Sequence, residues 1–252
     1  MREELVTTCE TTPSGVVVAY RANLRTYWVN GVEVPSVTQT LDVLAKPALI
    51  WWGQRIGVQG VCTLVERKIL DEGEWWHDSE GIVKLLTEHK LTVNHVKGKA
   101  ADRGLSVHEA MERWARGQCD PDPDDYPAQE RAYVAGLALF IAEHQPKPLL
   151  CEVIVGSHWH GYAGRYDLLI ELEDGIYLTD LKTSKGVYPT HGLQLAAYER
   201  ASTECGYPQP NKRAVLRPTD KGTYEFKETA ETFEQFWAVL QCWRALKTKE
   251  EK

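Results

Sequence analysis

Two stretches in the second half of the chain, Tyr162–Leu172 and Ile176–Lys182, read as neighbouring β-strands that carry two aspartates and a lysine. Glu173-Asp174-Gly175 lies between them, and an Asp174-Gly175 turn is a favoured hairpin connection. That turn sets Asp167 directly opposite Lys182 and diagonally close to Asp180. Side chains alternate along a strand, so Asp180 and Lys182 share a face while Leu181 points into the core. Two adjacent carboxylates stay ionised together only where cations neutralise them. Lys182 supplies one positive charge, and Mg²⁺, which prefers oxygen ligands, would supply more. Such a cluster suits hydrolysis of a phosphodiester: the metal polarises a phosphoryl oxygen, and the lysine orients or helps deprotonate the attacking water. Most Asp-x-Lys pairs on strands are plain surface salt bridges. Three features favour the other reading here: both strands are apolar, the second aspartate comes from the partner strand, and Gly164 precedes Asp167.

The elements that must position this cluster follow from periodicity and turn signals. Residues 16–34 predict a β-hairpin with Asn30-Gly31 as its turn, and Ser36 is an N-cap for a helix reaching about Lys46. Pro47 suits the first turn of a helix carrying Trp51 and Trp52. Helical patterning continues at roughly 58–71, 80–90 and 93–116, stopping near Gly117. Residues 119–127 form a Pro/Asp-rich loop, followed by a helix at 128–144 and strands at 149–155, 162–172 and 176–182. A helix at about 190–204, strands at 213–217 and 222–227 and a helix at about 230–248 complete an α+β arrangement: a small mixed sheet flanked by helices, with a mostly helical N-terminal half.

At 252 residues and 43% hydrophobic, the chain can bury a full core, and one domain over 1–252 is the simplest reading. Within it we expect an N-terminal part (1–118), an acidic loop (119–127) and a sheet core with a final helix (128–252). The first residues lack the apolar run of a signal peptide and no run of about 18 apolar residues occurs, which predicts a cytoplasmic protein without a membrane span. The cysteines at 9, 62, 119, 151, 205 and 242 form no CxxC pair and read as reduced packing residues. A net charge of -7 runs against DNA binding, but the acid is concentrated in Asp120–Asp125. Lys84–Arg116 is locally basic, a stretch that reads equally as a solvated helix face.

With those residues in view, the sequence resembles the PD-(D/E)XK nuclease superfamily, most closely its RecB-type branch of phage and bacterial exonucleases. Gly164-Arg-Tyr-Asp167 followed by Asp180-Leu-Lys182 matches its core. Gly104-Leu-Ser-Val-His108 matches a helical GxxxH, Glu152 stands where the branch often has a glutamate, and Gln194-Leu-Ala-Ala-Tyr198 matches QxxxY. Pro35-Ser-Val-Thr38 with Trp51-Trp52 resembles the N-terminal region of phage members, so the likeness spans roughly 35–200.

The resemblance implies a restriction-endonuclease-like core and a Mg²⁺- or Mn²⁺-dependent deoxyribonuclease, an exonuclease in DNA recombination or processing, in a bacterial cell or phage-infected host. It implies that Asp167, Asp180, His108 and the Leu181 carbonyl hold the metal, that Lys182 acts on the water and phosphate, and that Gln194 and Tyr198 lie beside the site. Gln194 and Tyr198 also fit an amphipathic helix packing on the sheet; Glu152 is a catalytic candidate that would contact the metal through water or support Lys182, and it also reads as a structural salt bridge. Arg165 and Lys185 flank the hairpin and Arg103 and Arg113 lie near His108 on one helix, all four candidates for phosphate contacts. DNA is the implied partner, with an annealing protein or helicase and an oligomeric state suggested by relatives. A DNA-binding module that has lost catalysis, an RNA-directed nuclease and a structure-specific endonuclease are the rival readings. His158-Trp-His160 resembles a metal pair but lacks further ligands at zinc spacing, and His77, His89, His95, His144 and His191 show no partner pattern.

Overall fold

Short β-prone runs separated by tight turns build the first sheet. β1 (Thr7–Thr11), β2 (Val17–Arg21), β3 (Thr26–Val29) and β4 (Val32–Val34) form an antiparallel meander in chain order. Asn30 and Gly31 both have positive φ, 49° and 80°, as a type I′ turn requires. The expected hairpin is there, extended by β1, whose Thr-rich sequence lacks the apolar alternation that marks a strand. This computed structural model describes residues 7–44, 46–70 and 78–247. It is a mixed α+β structure with this four-stranded sheet, a five-stranded mixed sheet and helices. The described residues fall into two compact units, one of 7–44 with 106–247 and one of 46–70 with 78–105.

In the first unit, α1 (Val37–Leu41) starts at Ser36 through a capping box: Ser36 Oγ accepts the Gln39 N–H at 3.0 Å, and Gln39 Oε1 accepts the Ser36 N–H at 2.9 Å. It ends at Leu41, short of the expected Lys46. The five-stranded sheet comprises β5 (Lys147–Ser157), β6 (Tyr162–Leu172), β7 (Gly175–Leu181), β8 (Lys212–Pro218) and β9 (Tyr224–Glu228), in that order. All its pairs are antiparallel except β7–β8, whose parallel pairing needs a crossover. Helix α6 (Pro189–Glu204) provides it.

Apolar residues on both faces of this sheet are buried. Leu169 and Leu178 pack with Leu195 of α6, Phe236 of α7 (Phe233–Lys247) and Val18 and Val29 of the first sheet. Leu168, Ile170, Tyr177 and Leu181 pack with Met111 of α4 (Val93–Ala115) and with Leu137 and Phe140 of α5 (Ala128–His144). By alternation Asp180 therefore shares the face of Leu178, and Leu181 faces the opposite cluster, as expected. A short 3₁₀ turn at Pro123–Asp125 interrupts the acidic loop.

The β6–β7 register differs from expectation. The connecting residues are Glu173 and Asp174, and Gly175 (φ 139°) already pairs with Leu172, so the strands are shifted by two residues. Continuing the observed register one step past Leu168–Thr179 places Asp167 across from Asp180 rather than Lys182. Contacts at the turn, two of them from the start of β8, hold this pairing. The Asp174 carboxylate accepts from Lys212 Nζ at 2.6 Å and from the Tyr177 hydroxyl at 2.8 Å, while Asn211 Oδ1 accepts the Ile176 N–H at 2.9 Å. A shift of two preserves the facing, so Asp167, Asp180 and Lys182 stay on one side.

The second unit is helical. α2 (Pro47–Glu66) is one continuous helix where two were expected, because its glycines weaken a helix without breaking it. Leu64 of α2 packs with Leu70 and with Leu86 of α3 (Ser79–Glu88). Trp51 is exposed and Trp52 half-buried, while Trp75, Trp76 and His77 lie outside the described residues. No described helix is long and apolar enough to cross a membrane. The described cysteines are all free, but Cys9, Cys62 and Cys242 are exposed, so the packing role expected for all six holds for Cys205 and, in part, for Cys119 and Cys151.

Candidate metal centre

Four elements of the first unit converge on one carboxylate-rich site. β6 carries Asp167, whose Oδ2 accepts the Leu181 N–H at 2.7 Å. This bond occupies the end of the β6–β7 ladder, so Asp167 is tied to the backbone between Asp180 and Lys182. Leu181 thus meets the site through its N–H. Lys182 lies one residue past β7 and extends the parallel ladder by donating its N–H to the Leu216 carbonyl at 2.9 Å. That bond fixes the backbone of Asp180-Leu-Lys182.

Glu152 reaches the site through an irregular strand. The β5–β6 pairing slips between Pro148 and Leu150, and Glu152 sits at φ 54°. Left-handed backbone at a non-glycine residue inside a strand is uncommon and costs about 1–2 kcal/mol. Its carboxylate lies 3.9 Å from His108 Nδ1 and 3.6 Å from Arg165 Nη1. His108, on α4, is also 3.7 Å from Asp167 Oδ1. One ligand atom from each of His108, Glu152 and Asp167 lies within 4.8 Å of the others, the one such group among the described residues and a set that could hold a metal ion. Of the expected ligands this group includes His108 and Asp167 but not Asp180, and it adds Glu152, which was expected beside the metal or Lys182 rather than as a direct ligand.

Asp180 is 1% exposed, and its Oδ1 has no hydrogen-bond donor among the described residues. Its Oδ2 forms an ion pair with Lys182 Nζ at 2.6 Å. Burial pushes the Asp180 carboxyl above the usual range against the pull of Lys182, and Asp167 adds repulsion. Burial opposes the charge on Lys182 too, but Asp180 and Asp167 outweigh it and hold the ammonium above its ordinary value. The same contest at His108, burial against the carboxylates of Asp167 and Glu152, raises its pKa to about 9. A divalent cation could take the place of the His108 proton among these carboxylates and meet the buried Asp180 oxygen that lacks a donor.

α6 supplies the site's other wall. The Gln194 amide donates to the Tyr198 hydroxyl at 3.1 Å, and the Tyr198 ring lies against Gly164. A Cβ on Gly164 would come within 2.6 Å of the ring. The glycine before Asp167 and the tyrosine of QxxxY are therefore one packing contact. Tyr198 is buried, so its role includes the core packing that was left open for it.

The cations divide. Arg165 stacks over Tyr20 at 5.5 Å and reaches Glu152, so it backs the site. Lys185 is exposed on the loop after Lys182. Arg113 hydrogen-bonds the Tyr126 side chain. Arg103 is half-buried on α4 and belongs to the second unit. His158 and His160 meet Glu204, at 3.6 and 3.0 Å, with Ser157 Oγ on the same carboxylate at 2.8 Å, which explains the His-Trp-His turn as an anchored loop. Cys151 beside Glu152 is held as a thiol, its pKa pushed up to about 12 by burial and then by Glu152.

The residue that sequence reading missed is His191, on α6. Burial and then the charge of Lys182 lower its pKa to about 4, with Asp180 pulling the other way. No family model matches this sequence, and no curated protein matches it significantly.

Proposed function

We propose that this chain is a divalent-metal-dependent deoxyribonuclease with a restriction-endonuclease-like core of the RecB-type PD-(D/E)XK branch, acting as an exonuclease on DNA. The observation that carries the reading is the junction of the His108–Glu152–Asp167 group with the buried Asp180–Lys182 pair. The donor set, mostly carboxylate oxygen with one imidazole, fits Mg²⁺ or Mn²⁺. His108, Asp167 and Glu152 would hold the ion, with the unpartnered Asp180 Oδ1 and the Leu181 carbonyl turned to the same task. Bound there, the metal supplies Lewis-acid polarisation of a phosphoryl oxygen and makes water a better nucleophile at neutral pH.

The chain's own residues do the rest. Lys182, held as an ammonium by Asp180 and Asp167, would orient the attacking water or help deprotonate it, and would hold a phosphate oxygen. His108 gives up its proton to become a ligand, since only a neutral imidazole offers a lone pair. Asp167 holds the Leu181 N–H with one oxygen and keeps the other for the ion. Arg165 would offset carboxylate charge that otherwise repels DNA, and the exposed Lys185 would meet phosphate.

The test is Lys182→Ala and Asp180→Ala assayed on labelled linear DNA with Mg²⁺ or Mn²⁺. Both should lose cleavage by at least about 100-fold, the scale of losing one charge-stabilising group, while keeping the circular dichroism of the parent. Undiminished cutting by Lys182→Ala would remove the mechanism.

A further inference from the structure

We propose that His191 is a further working residue of this site, an imidazole whose Nε2–H donates a hydrogen bond to the phosphate group that Lys182 holds. The inference rests on the nuclease reading. It starts from position: His191, Gln194 and Tyr198 are spaced i, i+3 and i+7 on α6 and share a helical face. Tyr198 docks that face on Gly164 of β6. One turn of helix beyond Gln194, His191 is close enough to Lys182 and Asp180 for their charges to act on it.

The chemistry follows from one hydrogen bond. His191 Nδ1 accepts the N–H of Tyr188, the N-cap of α6, at 3.3 Å. An accepting Nδ1 is unprotonated, so in the neutral ring the proton sits on Nε2. Burial and Lys182 keep the ring neutral at working pH. The Tyr188 ring, edge-on with centroids 5.5 Å apart, fixes the imidazole's plane. With one lone pair given to the cap and the other nitrogen protonated, His191 is no metal ligand while the cap bond holds. What it offers is a single uncharged donor beside an ammonium, and the partner for that is an anionic oxygen. A nonbridging oxygen of a phosphodiester is that class of acceptor. A neutral donor also adds no cation to repel the metal at the carboxylates.

Capping alone is the rival explanation, so the test reads the Nε2–H directly. In protein labelled with ¹⁵N-histidine, long-range ¹H–¹⁵N spectra should show His191 as the Nε2–H tautomer. Its Nε2 signal should shift when a short oligothymidylate is added with Ca²⁺. His191→Ala should lose about 10- to 100-fold in kcat/KM on DNA, with Mn²⁺ affinity measured by calorimetry unchanged within about twofold. His191→Gln, whose amide both accepts the cap N–H and donates, should recover most of the loss. An Nδ1–H tautomer, an Nε2 signal unmoved by the oligonucleotide, or a His191→Ala variant that cuts at the parent rate overturns the proposal. Should His191→Ala not fold, the spectra of the unaltered protein decide. If the unaltered protein cuts no DNA with Mg²⁺ or Mn²⁺, the nuclease reading falls. Cutting that ignores His191 strikes this inference alone.

Discussion

Glu152 combines strain and usefulness in a single residue. Its left-handed backbone at φ 54° turns the carboxylate towards His108, 3.9 Å away, and a glycine would adopt that backbone without penalty. Glu152→Gly should therefore melt higher than Glu152→Ala, by about 1 kcal/mol in unfolding free energy. Both should bind Mn²⁺ at least about 10-fold more weakly than the parent, a loss on the scale of disturbing a metal's ligand sphere. Equal melting of the two variants would deny the strain. His191 gives a second prediction at this scale. Its pKa is about 4 in the folded protein and about 6.5 in an unfolded chain, so as pH falls the unfolded state takes the proton first. Stability is unaffected by this group above pH 6.5 and declines as pH drops from there toward 4. His191→Gln should flatten that decline in thermal melts, and NMR titration should show the ring still neutral at pH 5. Asp167, Asp180 and Lys182 were legible from alternation alone. Glu152's backbone and His191's place were not, because a strand irregularity and a helix start beside a strand end are tertiary facts.

Among elements, α6 and β6 are fitted at one point. Gly164→Ala would drive a methyl group into the Tyr198 ring, 2.6 Å from its Cε1, and the ring is buried and cannot step aside. Overpacking of this kind costs about 1–3 kcal/mol. The variant should unfold at correspondingly lower denaturant and cut DNA more slowly, since β6 carries Asp167. A melt indistinguishable from the parent would mean that the contact is slack. The order of strands and helices from residue 128 onward was readable from periodicity, and α5, β6 and α6 begin and end within a residue or so of expectation. The β6–β7 register was not. Asp174-Gly175 is a strong local turn signal, but Lys212 and Asn211, at the start of β8, hold Asp174 and Ile176 in a different pairing. Local turn chemistry lost to contacts made across the sheet. The trio survived the error because a two-residue shift leaves every side chain on its own face.

For the molecule as a whole, the net charge of -7 sits awkwardly with a nucleic-acid substrate. Four of the negative charges are Asp120, Asp122, Asp124 and Asp125, and metal would neutralise part of the carboxylate charge at the site. On the proposed reading, binding should depend on few cations, Lys182 and Lys185 foremost. DNA affinity in Ca²⁺ should therefore fall by about 10-fold or more between 50 and 200 mM salt, and a salt-independent affinity would argue against phosphate contacts. The central claim is that phosphodiester cleavage depends on a metal held by His108, Glu152 and Asp167 beside Asp180 and Lys182. The most direct measurement is to incubate the purified protein with labelled linear and circular DNA, with and without Mg²⁺ or Mn²⁺. Linear DNA should be degraded only when the metal is present, with covalently closed circles spared. DNA that is bound but left uncut under every divalent condition would contradict that claim.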